Sequence, residues 1–188
     1  MDSRVCAYCG TGILLSHRQA RFCSSRCRVY HFRASQKLPI ELTSRARWIR
    51  RRSDKVPLNV EGVVVDATSP ASWSTYKVAA ASDAGAGLGF VLNGDGIACA
   101  DLDHCLIDGV PTPAAQAFLN RFPDAFVELS PSGDGLHVWG MAPSGKGSRK
   151  VIDGLHVEFY TTGRYMTITG NTYRLGNLTT DLEGLQHD

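Results

Sequence analysis

Residues 97–103 read Ile97-Ala-Cys-Ala-Asp101-Leu102-Asp103, an apolar, β-prone run that ends in two carboxylates two positions apart. Side chains alternate along a strand, so Asp101 and Asp103 face one side and Leu102 the opposite layer. Two like charges at that spacing repel. A hard divalent metal with oxygen ligands relieves the pair, and a solvated strand edge is the plainer alternative. Two later strands favour a site. Leu136–Met141 (LHVWGM) brings His137, and Leu155–Tyr160 (LHVEFY) alternates His156, Glu158 and Tyr160 against Val157 and Phe159. If Val157 and Phe159 face the core, Glu158 is free to join the two aspartates. Three carboxylates on adjacent strands suit magnesium or manganese and in-line phosphoryl transfer, a salt-bridging glutamate being the simpler reading.

The turn before His137, Ser130-Pro-Ser-Gly-Asp-Gly-Leu-His137, combines the Ser132 hydroxyl with Gly133 and Gly135, which permit close backbone approach and positive φ. Such a turn can cradle phosphate with its amides and the imidazole, or be ordinary hairpin chemistry. Arg164, in Thr162-Gly-Arg-Tyr165, stands at a turn before a strand, to meet phosphate or an acid. Cys99 and Cys105 read as reduced core thiols. Gly140 to Lys146 has the spacing of a phosphate-binding Walker loop, but Gly147 stands where a magnesium-binding Ser or Thr is needed, so that reading is rejected.

Around these motifs the chain predicts an α+β body with an antiparallel or mixed sheet. Glu61–Ala67 reads as a short strand or loop, Pro70–Ser82 as a helix capped by Ser69, and Pro113–Phe122 as the best helix in the chain. Phe90–Asn93 and Ile97–Asp103 read as a hairpin joined by Asn93-Gly94-Asp95-Gly96. Strands follow at Ala125–Leu129 and Tyr165–Thr169.

The N-terminal segment is of another kind. Cys6-x2-Cys9 and Cys23-x3-Cys27, separated by a short insert, match four thiolates converging on one structural zinc. His17 and His31 read as surface residues. Residues 1–55 hold 13 Lys and Arg against 3 acids, so a basic arm precedes an acidic body. Nucleic acid is the polyanion such an arm suits, a solvated linker the alternative. Arg47, Arg50, Arg51, Arg52 and Lys55 surround Trp48, either to contact phosphates and stack on bases or with Trp48 opening the body's first strand. The division expected is a zinc module at 1–40, a basic connector at 41–55 and a catalytic domain at 56–188. No apolar run approaches the roughly 20 residues of a membrane span, and the expectation is a soluble, cytoplasmic chain.

Taken together, GLGFVLNGDGIACADLDHC, SPSGDGLHVWG and GLHVEFYTTGRYMTITG resemble, in order, three motifs of the archaeo-eukaryotic primase superfamily, specifically the primase-polymerase domains of phage and plasmid replication proteins. The likeness spans roughly Trp48 to Gly170, and CAYCG with FCSSRCR is similar to a small zinc finger. The resemblance implies an RRM-like catalytic core with Asp101, Asp103 and Glu158 as magnesium or manganese ligands. It implies that His137 and the Ser132 turn contact the incoming nucleoside triphosphate, with Arg164 and the Arg149-Lys150 pair as weaker phosphate or template contacts. The implied activity is primer synthesis or extension on single-stranded DNA, with a helicase or helical primase domain supplied by another chain. Two rivals are a non-catalytic nucleotide- or nucleic-acid-binding protein on the same fold and a metal-dependent phosphodiesterase.

Overall fold

The computed structural model describes residues 5–13, 20–35 and 38–187, without the side chains of 31–35 and 187. It divides the chain into two units, Met1–Lys37 and Leu38–Asp188. His17 and the side chain of His31 lie outside the described residues.

In the first unit, a bridge between Val5 and Gly12 closes a turn in which the Gly10 amide donates to Cys6 O at 2.9 Å. Helix α1 (Ser25–Ser35) follows, its first turn capped by the Ser24 hydroxyl, which accepts from the Cys27 amide at 3.1 Å.

The second unit runs α2 (Ile40–Thr43), β1 (Trp48–Arg51), β2 (Pro57–Leu58), α3 (Tyr76–Ala81), β3 (Gly87–Asn93), β4 (Ile97–Leu102), β5 (Leu106–Ile107), β6 (Val110–Pro111), α4 (Pro113–Arg121), β7 (Phe126–Leu129), β8 (Leu136–Met141), β9 (Ser148–Ile152), β10 (Leu155–Tyr160), β11 (Thr162–Ile168), β12 (Thr172–Arg174) and α5 (Gly184–His187). A six-stranded sheet has the order β12-β7-β8-β4-β10-β9, a four-stranded sheet β11-β3-β1-β2, and β5 pairs only with β6. Every pairing of these strands is antiparallel, so the body is α+β, as its sequence predicts.

Alternation along the strands builds the layers. From β4, Ala98, Ala100 and Leu102 join Val127, Val138, Val157 and Phe159 against Ala115, Phe118 and Leu119 of α4. The opposite residues, Ile97 and Cys99, join Phe126 and Trp139 against Trp48, Phe90, Leu92, Met166 and Ile168 of the other sheet. The order is therefore helix, six-stranded sheet, four-stranded sheet. Cys99 and Cys105 are free buried thiols, and burial raises both above the ordinary thiol range.

Three expectations need correction, and one open reading is decided. Residues 93–96 do not close a hairpin, because β3 and β4 belong to different sheets. The turn is a corner instead: Gly94 and Gly96 take φ +84° and +102°, and the Asp95 carboxylate is held by Arg45 at 2.8 Å and Arg47 at 2.9 Å. Pro70–Ser82 is not one helix. Ser74 pairs with Trp48 as an isolated bridge, which forces extended backbone between a 3-10 turn at Pro70–Ser72 and α3, and Thr75 rather than Ser69 caps α3. Glu61–Ala67, open between a short strand and a loop, is a loop with one bridge from Val64 to Leu58. Residues 41–55 are not a connector, since they carry α2 and β1, and Trp48 and Ile49 are fully buried in the body.

Candidate active site

The register of the six-stranded sheet sets a row of polar residues side by side. Glu158 opposes Asp101, Asp101 opposes His137, and His137 opposes Glu128, across β10, β4, β8 and β7. All four face the layer between the sheets, at the end left open where the rings of Trp139 and Phe90 fill the other. Asp101, Asp103, His137 and Ser132 line a cleft of about 210 Å³ there, together with Lys55 from the loop after β1 and Arg164 to Thr167 of β11. Tyr165 ties that loop down by donating its hydroxyl to Lys55 O.

Asp101 is half-buried, and burial is the first cause that pushes its carboxyl above the usual range; Asp103 and Glu158 add to it and His137 opposes. A carboxylate so placed gains from a cation. Leu102 packs in the helix-side layer while Asp101 faces the cleft, as alternation requires, and Asp103 stands just past the strand end, exposed. Glu158 sits across from Asp101 but is engaged elsewhere. Its Oε1 lies 2.7 Å from Arg149 Nε, and its Oε2 accepts from the Tyr160 hydroxyl at 2.7 Å and from Arg164 at 3.4 Å. Among the described residues the three acids do not close into a metal-ligand group. Asp101 and Asp103 both line the cleft, whereas both oxygens of Glu158 are taken by Arg149, Tyr160 and Arg164.

His137 is 3% exposed, with Nε2 3.6 Å from Asp101 Oδ1 and Nδ1 3.2 Å from Glu128 Oε1. Burial works against its charged form, but the Glu128 hydrogen bond and the charges of Glu128 and Asp101 outweigh it and hold the imidazole above its ordinary value.

The Ser130–His137 turn is self-bonded. Ser132 donates to Asp134, its oxygen lies 2.8 Å from the Ser130 hydroxyl, and Asp134 holds exposed His104 at 2.6 Å. The Ser132 bond first, then His104, lowers the Asp134 carboxyl, and the Asp134 bond raises His104. Gly135 has an ordinary φ; a Cβ there would stand 2.7 Å from Leu102 O, so its smallness serves packing of the turn on β4. Gly133, at φ +84°, lines a neighbouring cleft with Arg51 and Thr169. Arg164 stacks on Tyr160 at 3.8 Å while reaching the main cleft.

The basic cluster is divided. Trp48 is fully buried and stacks on no base. Arg47 is spent on Asp95 and on Asn93, and its guanidinium lies over Phe90 at 4.7 Å. Arg50 donates to Ala84 O at 2.6 Å and Ala79 O at 3.3 Å. Arg52 is exposed beside Asp54 at 3.1 Å, and Lys55 reaches the cleft. Of Arg149 and Lys150, the first holds Glu158 and the second donates to Leu185 O at 3.3 Å.

Glu128 escaped the sequence reading. Its signal was there: in the strand Ala125–Leu129 it shares a face with Phe126, and an acid on a buried face is seldom without a task.

In the first unit, Cys6, Cys9, Cys23 and Cys27 bring their sulfurs within 4.8 Å of one another. The separations of Cys9, Cys23 and Cys27 are 3.5 to 3.7 Å. A tetrahedron with Zn–S of about 2.3 Å has edges of about 3.8 Å, so the set fits a zinc ion. Burial opposes the Cys6 thiolate, yet the backbone amides of Cys23, Cys9 and Tyr8 bring its pKa down to about 6.

No protein-family model matches the chain. It is similar to the DNA primase-polymerase of Nitratiruptor phage NrS-1, with 40% identity over 136 residues. The match takes in 67% of this chain and 19% of that protein, so the chain spans about a fifth of its relative's length. The homology bears out the resemblance carried by the three motifs.

Proposed function

We propose that this chain, a homologue of phage DNA primase-polymerase, is a metal-dependent nucleotidyltransferase core that makes or extends short primers on single-stranded DNA. The observation that carries the reading is that Asp101 and His137, neighbours across the sheet, meet Asp103, Lys55 and Arg164 at one cleft, with Glu158 on the strand beside Asp101. Carboxylates facing an anionic substrate are useful only with cations between them. Magnesium or manganese, held by Asp101, Asp103 and Glu158, would neutralise the triphosphate and activate the attacking 3′-hydroxyl. His137, Lys55 and Arg164 offer the positive groups that hold and orient the nucleotide's phosphates. The catalytic body would be the RRM-like core of this family, and the finger, with its zinc, would engage the template. In this reading the chain works in the cytoplasm of a bacterial host or a phage-infected cell, with a helicase or helical domain from another chain. Among the described residues no helix is long and apolar enough to cross a membrane.

The test is synthesis on unprimed single-stranded DNA with magnesium or manganese, beside a primed template, for wild type and Asp101→Ala/Asp103→Ala. Products from wild type alone on both templates are expected. Extension without initiation makes the core a polymerase that needs another domain to start. Shortened primer indicates a phosphodiesterase, and binding without product a non-catalytic domain.

A further inference from the structure

The geometry points to Glu128 as a positioning residue that fixes the tautomer of His137 and presents its Nε2 to the cleft, an inference that rests on the cleft being the nucleotide site. Glu128 is wholly buried and does not line the cleft, so any influence there passes through His137. Its two oxygens have separate tasks. Oε2 accepts from the amides of Thr169 and Gly170 at 3.1 and 3.2 Å and from the Thr169 hydroxyl at 3.2 Å, fastening the segment after β11. Oε1 meets His137 Nδ1 at 3.2 Å. Fastening the backbone needs only the first oxygen, and the second is left for the imidazole.

An amide can only donate, so Oε2 is an acceptor, and a carboxylate accepts through Oε1 as well. With Glu128 ionised, Nδ1 carries a hydrogen whether the ring is neutral or charged. The other nitrogen, Nε2, is directed toward Asp101 and the cleft. A carboxylate behind a metal-bound histidine sets its tautomer and ring orientation, and losing it typically costs about 10–100-fold in metal affinity or activity; the Glu128–His137 pair has the same arrangement without the metal.

Glu128→Gln separates the two tasks. Its amide oxygen can keep the Thr169 and Gly170 donors, which turns the NH₂ onto Nδ1 and forces the neutral ring into the opposite tautomer. The measurement is the ¹⁵N signal of His137 in the full, histidine-labelled chain, assigned by its loss in His137→Gln. In wild type Nδ1 should stay protonated at every pH at which the protein is folded. In Glu128→Gln the neutral ring should show an unprotonated Nδ1, and the nucleotide KM should rise roughly 10–100-fold with DNA binding unchanged. An unprotonated Nδ1 in wild type overturns the inference, as does an inverted tautomer with wild-type KM. If Glu128→Gln does not fold, the wild-type spectrum still decides. A wild type without nucleotidyl transfer removes the nucleotide reading, while the spectrum judges the Glu128–His137 pair separately.

Discussion

The two units of this chain solve the folding problem by different means. Among the described residues of the first, the buried apolar side chains are Cys6 and Ile13, and four sulfurs converge where a core would be. The second stacks a helix and two sheets around layers of Phe, Trp, Leu and Val. A segment with so few buried apolar side chains among its described residues gains from a ligand that offsets its conformational entropy, and the four sulfurs fit a zinc ion. The body has the opposite freedom. Its core is large enough to tolerate a row of buried and half-buried charges at one end of the inter-sheet layer, where the cleft opens.

The largest effect should come from Cys23→Ser, or from a strong chelator. Structural zinc contributes on the order of 10–16 kcal/mol to such modules, so the first unit should lose its ordered structure and its metal. Zinc content and the amide spectrum of residues 5–35 check this, with the body's melting transition unchanged. Loss of all cooperative structure would break the division. The converse variant is Phe90→Ala. Its ring packs between Trp48 and Trp139 at 5.2 and 6.0 Å, so truncation should cost about 3–5 kcal/mol in urea unfolding of the body while zinc content stays at wild type.

Asp95→Ala should cost less. It strands the buried Arg47 guanidinium, but the Asp95 side chain is 26% exposed, and water reaches what the carboxylate leaves. Roughly 2 kcal/mol is expected, below the 3–5 of a fully buried pair. A neutral result would mean that glycines alone hold the corner between the sheets.

What could be read from the sequence follows the range over which each signal acts. The alternation of IACADLD, LHVWGM and LHVEFY places Asp101, His137 and Glu158 on one face, and the sheet register then makes them neighbours. The four cysteines are legible because metal ligation fixes their spacing. By contrast, Asn93-Gly-Asp-Gly96 has the composition of a hairpin, and only the distant Arg45 and Arg47 show that it turns between sheets. Trp48 has the residues of a base-stacking cluster around it, yet its indole donates to Leu42 O at 3.1 Å inside the core. In sequence Arg164 is open to phosphate or to an acid and Arg149 to phosphate or template, and neither sequence separation nor charge shows that both converge on Glu158. Partners set by tertiary packing leave no local mark.

The smallest effect probes the body's charged row directly. Burial and the neighbouring acids raise the Asp101 carboxyl, so the folded state binds its proton more tightly than the unfolded chain. Ionising it therefore costs stability. The cost is absent below the ordinary carboxylate value, grows as pH rises toward the raised folded value, and is complete above it. Asp101→Asn removes the charge with little change of shape, and His137 keeps Glu128 as its partner. In a chelator at neutral pH the variant should melt a few degrees above wild type, and the gap should close as pH falls through that window. Magnesium or manganese should raise the wild-type melting temperature and leave the variant's nearly unchanged, because a ligand stabilises the state that binds it. A variant less stable than wild type in chelator would mean that the Asp101–His137 attraction outweighs burial. The row would then be part of what holds the sheet together, and the contrast with the four-cysteine unit would narrow to the few buried apolar side chains among that unit's described residues.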